Sequence, residues 1–398
     1  MLEDESGRIR LVGDILKDVI LVTGCIVAVM GTENVNGELE VFDLKFPDLP
    51  PQPERWAVSK PPVINGASRS KKPRDEDEEM ADAAQPKRSG GKVAIVSGLG
   101  FSGQDASHAL ELDLLLEYLL GEALDPTAQR ELSQISRLII AGNSISLEER
   151  RPVDEDPVEK KNNPKKYGYD SSSYNTLPSQ LLDEFLSTLL PTIPVTLLPG
   201  AQDPANASYP QQSIHPAMFP LSRSYTALPG GTESGWFDTV TNPWEGEVDG
   251  WRVLGTGGQN VDDIFKYVGS DDRLGMMEAM CRWRCCAPTA PDTLCESSRT
   301  GTQSLPIGAK IELKKEKKVL TLAHLGSYPF QDDDPFVMQT CPHLYFVGCQ
   351  PEFGTKVIQG EDGQAVRLIA VPSFSATGEL VLVDTETLDV TKIKIATG

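Results

Sequence analysis

Four short stretches of this chain place glycine beside positions that could hold a metal, a phosphate or a proton. They are Gly98-Leu99-Gly100, Gly142-Asn143, Gly200-Ala201-Gln202-Asp203 and Gly348-Cys349-Gln350-Pro351. Each follows an apolar run: "VAIV", "RLIIA", "VTLL" and "LYFV". Each is therefore read as a loop at the C-terminal end of a buried strand, where open α/β sheets place their ligands. A metal ion held at such a place needs carboxylate, imidazole or thiolate ligands. The residues present are poor in these. Gly98, Gly100 and Ala201 offer no side-chain ligand, Asn143 and Gln202 offer only neutral amides, and Pro351 has no side-chain donor. Cys349 is a conceivable thiolate ligand or nucleophile, but a single cysteine beside a buried strand is better read as a small hydrophobe. An unusual ligand set of Asp105, Asp203 and Cys349 would have to converge within about 3 Å of one metal. His108 falls in a helix, His215 precedes Pro216 in a turn and His343 begins a strand, so each is read as structural or surface. "GTGGQN", residues 255–260, lacks the Lys of a phosphate-binding loop and the full dinucleotide fingerprint, so it is read as a tight turn before a helix.

The elements that must carry these loops follow from periodicity. "KVAIVSGLGFSG" predicts a strand breaking into a glycine-rich loop, and "SHALELDLLLEYLLGE" a helix with Leu110, Leu114 and either Tyr118 or Leu119 on its buried face, ending at Gly121. "ISRLIIAGNSIS" predicts a second strand, "LPSQLLDEFLSTLLPTI" an amphipathic helix, and residues 194–198 a third strand. This alternation is an α/β layered pattern. The later part is richer in strands: "GWRVLGTGGQNVDDIFKYV" is strand, turn and helix, "HLYFVGCQPEFGTKVI" two strands, and "VRLIAVPSFSATGELVLVDTETLDVTKIKI" three. It is expected to supply a second, more antiparallel sheet, packed face to face on the first with helices outside.

Residues 8–46 are predicted to be β structure, with a hairpin turn at Asn36-Gly37 and Leu39, Val41 and Leu44 on one face. They suggest a small barrel or part of one. Residues 57–91 carry Pro, Gly, Ser and blocks of opposite charge, and are read as a disordered linker. Within it Lys71, Lys72 and Arg74 are separated from Lys87 and Arg88 by a spacer, which fits a bipartite nuclear import signal or a solvated charge-mixed linker. Residues 148–174 are read as a flexible surface loop.

Composition narrows the function classes. The 398 residues suffice for two domains, and a net charge of −21 argues against a generally basic nucleic-acid surface. Phe42, Phe46 and Trp56 are aromatics of the N-terminal segment, but little basic charge accompanies them, which ranks single-strand DNA binding low. No apolar run is long enough for a membrane span, and the acidic start has no signal-peptide core. The seven cysteines are scattered without a Cys-x-x-Cys, which fits neither a disulfide scaffold nor a zinc site and suggests a reducing compartment.

The strand-end pattern resembles the calcineurin-like metallophosphoesterases. That resemblance implies Asp-x-His where Gly98-Leu99-Gly100 stands and Gly-Asp where Gly142-Asn143 stands. It implies Gly-Asn-His-Asp or Gly-Asn-His-Glu at Gly200 to Asp203, and Gly-His-x-His at Gly348 to Pro351. Gly98, Gly100, Asn143, Ala201, Gln202, Cys349 and Pro351 are then degenerate ligand positions: the frame without the chemistry, with no metal or cofactor. A degenerate phosphoesterase domain at 92–398, behind a partial OB-type barrel at 1–56, is similar to the B-subunits of the replicative DNA polymerases. "HPAMFP", "GTGGQNVDDIFKY", "LPGAQDPAN", "YPFQDDDPFVMQTCPHLYFVGCQPEFGTKVI" and "VPSFSAT" resemble the polymerase delta branch most. The resemblance implies a non-catalytic scaffold in the nucleus. It would bind the cysteine-rich C-terminal domain of the polymerase delta catalytic subunit and the third subunit, and through them the sliding clamp and DNA, in replication and repair. The barrel segment looks shortened relative to that family, so residues 1–55 are expected to fold differently there. Residues 296–326 interrupt a junction that in the family runs almost directly from "PDTL" to "YPF". They carry six Lys or Arg against three Glu and are read as untranslated sequence or a surface insertion, disordered in either case.

Overall fold

The computed structural model describes residues 1–4, 7–55, 91–105, 107–121, 126, 129, 132–146, 175–205, 208–226, 235–290 and 334–396. The linker with its basic clusters (Lys71, Lys72, Arg74, Lys87 and Arg88), Trp56, the 148–174 loop and the 296–326 insert lie outside the described residues. The N-terminal strands are β1 (Leu2–Asp4), β2 (Gly7–Val12), β3 (Ala28–Glu33) and β4 (Glu38–Lys45). They form a four-stranded sheet in the order β1-β2-β4-β3. The β3–β4 turn has Gly37 at φ 75°, and the Asn34 carboxamide oxygen accepts from the Asn36 and Glu38 amides. The expected inward face is seen, with Val41 buried and Leu39 and Leu44 half-buried.

The remaining elements are β5 (Lys92–Val96), α1 (Ala109–Leu120), β6 (Ile135–Ala141), α2 (Leu177–Leu189), β7 (Val195–Leu198), β8 (Phe237–Thr239), β9 (Trp244–Val248) and β10 (Trp251–Thr256). After them come α3 (Gln259–Phe265), α4 (Arg273–Trp283), β11 (Leu344–Gln350), β12 (Gly354–Gln359), β13 (Ala365–Pro372), α5 (Phe374–Thr377), β14 (Glu379–Asp384) and β15 (Val390–Lys394). A six-stranded sheet runs β15-β14-β5-β6-β7-β8 and a five-stranded sheet β12-β13-β11-β10-β9. In the first, β5 to β8 are parallel; in the second, β10, β11 and β13 are parallel.

Period-two alternation divides each central strand between two cores. Val93, Ile95, Ile139 and Leu198 of the first sheet meet Val253, Leu344, Phe346 and Ile369 of the second in the layer between them. Ala94, Val96, Leu138 and Ile140 face α1 and α2 on one outer side. Tyr345, Val347 and Leu368 face α3 and α4 on the other. Both faces are covered, which is why these strands are continuous apolar runs.

Two expectations are corrected. The last two strands do not extend the second sheet. After Pro372 the chain makes one helical turn, reverses at Gly378 (φ 66°), and sends β14 back to pair antiparallel with β5. The second sheet is accordingly parallel at its centre and antiparallel only at its edges. The buried face of α1 is Leu112, Leu115 and Leu119, whereas Leu110 is 57% exposed and Leu114 is half-buried. Leucine fills so much of this helix that periodicity alone did not single out the face.

Candidate functional site

The strand ends of β5, β6, β7, β10 and β11 meet in one crest, where the chain turns repeatedly into left-handed backbone. Gly98, Gly100, Gly142 and Gly258 lie at φ 61°, 62°, 85° and 105°, and Asn143 and Cys349 at 50° and 53°. The loops then bond to one another through main chain. The Gly98 amide donates to Gly142 O at 2.9 Å, Gly100 to Asn143 O at 3.0 Å, and Gly142 to Leu198 O at 3.1 Å. The Asn143 carboxamide oxygen accepts from the Gln202 amide at 3.0 Å. Gly98, Gly100, Asn143 and Gln202 are therefore brought together. Ala201 is exposed on the same turn, and Pro351 is exposed just past β11.

Close approach leaves little room between these loops. A Cβ on Gly200 would stand 2.2 Å from the Asn143 nitrogen, and one on Gly348 would stand 2.0 Å from Ala141 O. These two glycines set how closely the loops pack; at the first loop a Cβ on Gly98 would meet the Ser373 side chain at 2.2 Å, and one on Gly100 would find only side chains, at 3.5 Å and beyond. Ser97 staples the two sheets: its hydroxyl donates toward Pro372 O at 2.9 Å and accepts from the Cys349 amide at 2.9 Å. The Cys349 thiol lies 3.8 Å from Ala141 O, and burial pushes its pKa up, away from the thiolate.

Asp203 is buried and aimed back into the crest. Its carboxylate accepts from the Gly200 amide at 2.7 Å and the Ile145 amide at 2.8 Å, tying the β7 loop to the β6 loop. Burial raises its pKa to about 6, against the lowering effect of the surrounding amides. Asp105, by contrast, is exposed and accepts from the Ser107 amide. Among the described residues no three of His, Cys, Asp or Glu gather as a metal-ion ligand set. Asp105, Asp203 and Cys349 all belong to those residues, so the structure does not bring them together as one.

Several residues of this crest escaped the sequence reading. Asn242 donates to Pro199 O at 3.0 Å and to the side-chain oxygens of Gln211 and Gln259 at 2.9 Å each, while its own oxygen accepts from the Gly257 amide at 3.1 Å. Gln211 in turn donates to Gly200 O at 3.0 Å. This neutral amide network spans loops from both sheets. "TNPW" and "GTGGQN" mark turns, but nothing in their spacing signals that the amides meet. His108 caps α1 and reaches the first loop, its Nε2 lying 3.0 Å from Leu99 O and 3.1 Å from Gly100 O. Both partners only accept, so Nε2 carries the proton. His215 caps a turn by accepting from the Ala217 amide, and His343 accepts from the Arg252 amide.

The same chain matches two protein families along its length. Residues 93–355 match the B-subunit family of DNA polymerases alpha and epsilon, and residues 1–44 match the OB-fold domain of the DNA polymerase delta subunit. The DNA polymerase delta small subunit of Arabidopsis thaliana is 34% identical over 397 residues, covering 100% of this chain and 72% of that one. The DNA polymerase delta small subunit of Saccharomyces cerevisiae is 31% identical over 418 residues, covering 99% of this chain and 70% of that one. The chain belongs to the family of DNA polymerase delta small subunits, accessory subunits in DNA replication.

Proposed function

We propose that this chain is a non-catalytic scaffold of the nuclear DNA polymerase delta complex. In this reading it bridges the cysteine-rich C-terminal domain of the catalytic subunit and the third subunit in replication and repair. The sliding clamp and DNA are reached through those partners. The observation that carries the reading is the crest itself. Its positions 98, 100 and 201 are Gly, Gly and Ala with no side-chain donor, and its buried carboxylate, Asp203, is engaged by backbone amides rather than facing open space. Gly98, Gly100, Asn143, Ala201, Gln202, Cys349 and Pro351 stand at degenerate ligand positions of a phosphoesterase-like frame. The residues present do not fit a two-metal centre: two dications need several anionic or imidazole donors, and the crest offers amides, a thiol held neutral by burial and a carboxylate already bonded. A surface relieved of a metal site is free to be committed to partners.

Co-expression with the C-terminal domain of a polymerase delta catalytic subunit tests the reading, with metal content and phosphodiesterase turnover measured on the chain alone. A stoichiometric complex without bound metal or turnover is expected. Absence of a complex, with about two metal equivalents per chain and hydrolysis lost in Asp203→Ala, would establish instead an active metal-dependent phosphoesterase with an atypical ligand set.

A further inference from the structure

The outer face of the six-stranded sheet carries a groove that neither the crest nor the OB segment uses. Helices α1 and α2 seat on the sheet through Leu115, Leu119, Leu182, Leu186 and Leu189. Above that layer they leave between them an open cavity of about 450 Å³. Its floor is apolar: Phe101, Leu112, Leu116, Leu181 and Phe185. The floor residues of α2 continue to Leu177, one turn earlier, which is 42% exposed beside Gly103 at one end. The rim is acidic. Asp105, Asp113 and Glu184 line the cavity and all three are exposed, and among its described lining residues there is no Lys or Arg, His108 being the basic side chain there. Among the described residues none of these three carboxylates is in a salt bridge, though the nearby His108 ring attracts Asp105.

We propose that this groove is a docking site for a basic amphipathic helix of a partner protein. Two helices laid side by side present a trough that a third helix can fill with large apolar side chains at i, i+3/i+4 and i+7. The carboxylates stand where the flanking positions of such a helix would project. Charge complementarity selects the occupant. Lys or Arg flanking the apolar face would find an acidic group on either wall, since Asp113 belongs to α1 and Glu184 to α2. An acidic helix would meet like charge on both walls, and so would a second copy of this chain, which carries a net charge of −21.

The test uses the full chain and a fluorescein-labelled synthetic helix with Leu and Phe on one face and Lys on both flanks. Anisotropy titration is expected to show saturable binding, and hydrogen exchange to slow in residues 107–118 and 177–188. The double variant Asp113→Lys/Glu184→Lys changes exposed side chains and is expected to keep the native circular dichroism while weakening binding by about tenfold or more. A control peptide with Glu for Lys, and another with Ser for the apolar residues, are each expected to bind at least about tenfold more weakly. Equal binding of the Ser peptide would reduce the effect to diffuse attraction and overturn the proposal. Equal binding of the Glu peptide, or unchanged binding to the double variant, would do the same. So would self-association of the unliganded chain that Leu181→Arg abolishes, because the occupant would then be a second copy.

Discussion

The crest and the N-terminal sheet hold their positions by different means. At the crest, loops from two sheets touch through main chain, with glycine wherever a Cβ would collide and buried amides joining the rest. The N-terminal sheet buries little of its own surface: of its strand residues only Val41 is buried. It is anchored to the sandwich by residues 20–25, where Ile20, Val22 and Cys25 pack on the second outer core and a Cβ on Gly24 would stand 2.0 Å from Pro288 O, and chiefly through side chains by the segment that follows β4. Arg284 donates to Asp48 O at 2.8 Å, Pro47 O at 3.1 Å and Leu49 O at 3.2 Å, and Arg282 pairs with the Asp48 carboxylate. Phe46 lies edge-on to Trp283 at 6.0 Å, and Leu49 is buried among the residues of the second outer core. A region closed by backbone tolerates few side chains and fails abruptly. A region held by side-chain anchors loosens by degrees.

The largest expected effect is at the crest. Gly348→Ala places a methyl against Ala141 O and is expected to destabilise the chain by about 3 kcal/mol or more, read by urea unfolding. A loss below ~1 kcal/mol would mean that the strand ends can part, and the contrast would collapse.

Asp203 sharpens the same point through pH. Its folded pKa of about 6 lies above the ordinary 3.8, so the folded state holds this proton more tightly than the unfolded chain does. Its contribution is therefore most favourable at low pH and is lost as pH rises from about 4 to 6, by up to about 3 kcal/mol. The comparison is between wild type and Asp203→Asn: the falling limb in that window is expected in the first and absent in the second.

Asn242→Ala strips donors from Pro199 O, Gln211 and Gln259 and an acceptor from Gly257 N. A loss of about 2 kcal/mol is expected by thermal or urea unfolding. The smallest effect belongs to the N-terminal anchor. Arg284→Ala is expected to lower global stability by about 1 kcal/mol while markedly speeding proteolysis before residue 50. Equal protection of the two regions in hydrogen exchange would remove the distinction between them.

Much of this was legible in the chain alone. The apolar runs ending in glycine identify β5, β6, β7 and β11 and the loops after them, because a strand buried on both faces must be apolar throughout and its exit must turn sharply. The hairpin at Asn36-Gly37 and the helix after "GTGG" were legible for the same local reason. Resemblance to the polymerase B-subunits lay in long stretches of the chain, and the family matches bear it out. Local pattern could not assign β14 and β15 to the first sheet, since a strand's alternation does not name its neighbour. Nor could it choose Leu112, Leu115 and Leu119 over Leu110 in a helix so rich in leucine.

The amide network of Asn242, Gln211 and Gln259, the clasp by Asp203 and the acidic groove between α1 and α2 join residues far apart in sequence. Each depends on which loops the two sheets bring within hydrogen-bonding reach. Short-range chemistry writes elements and turns into the order of residues. Contacts across tens of residues are set only when the buried faces choose their partners and the backbone closes around them.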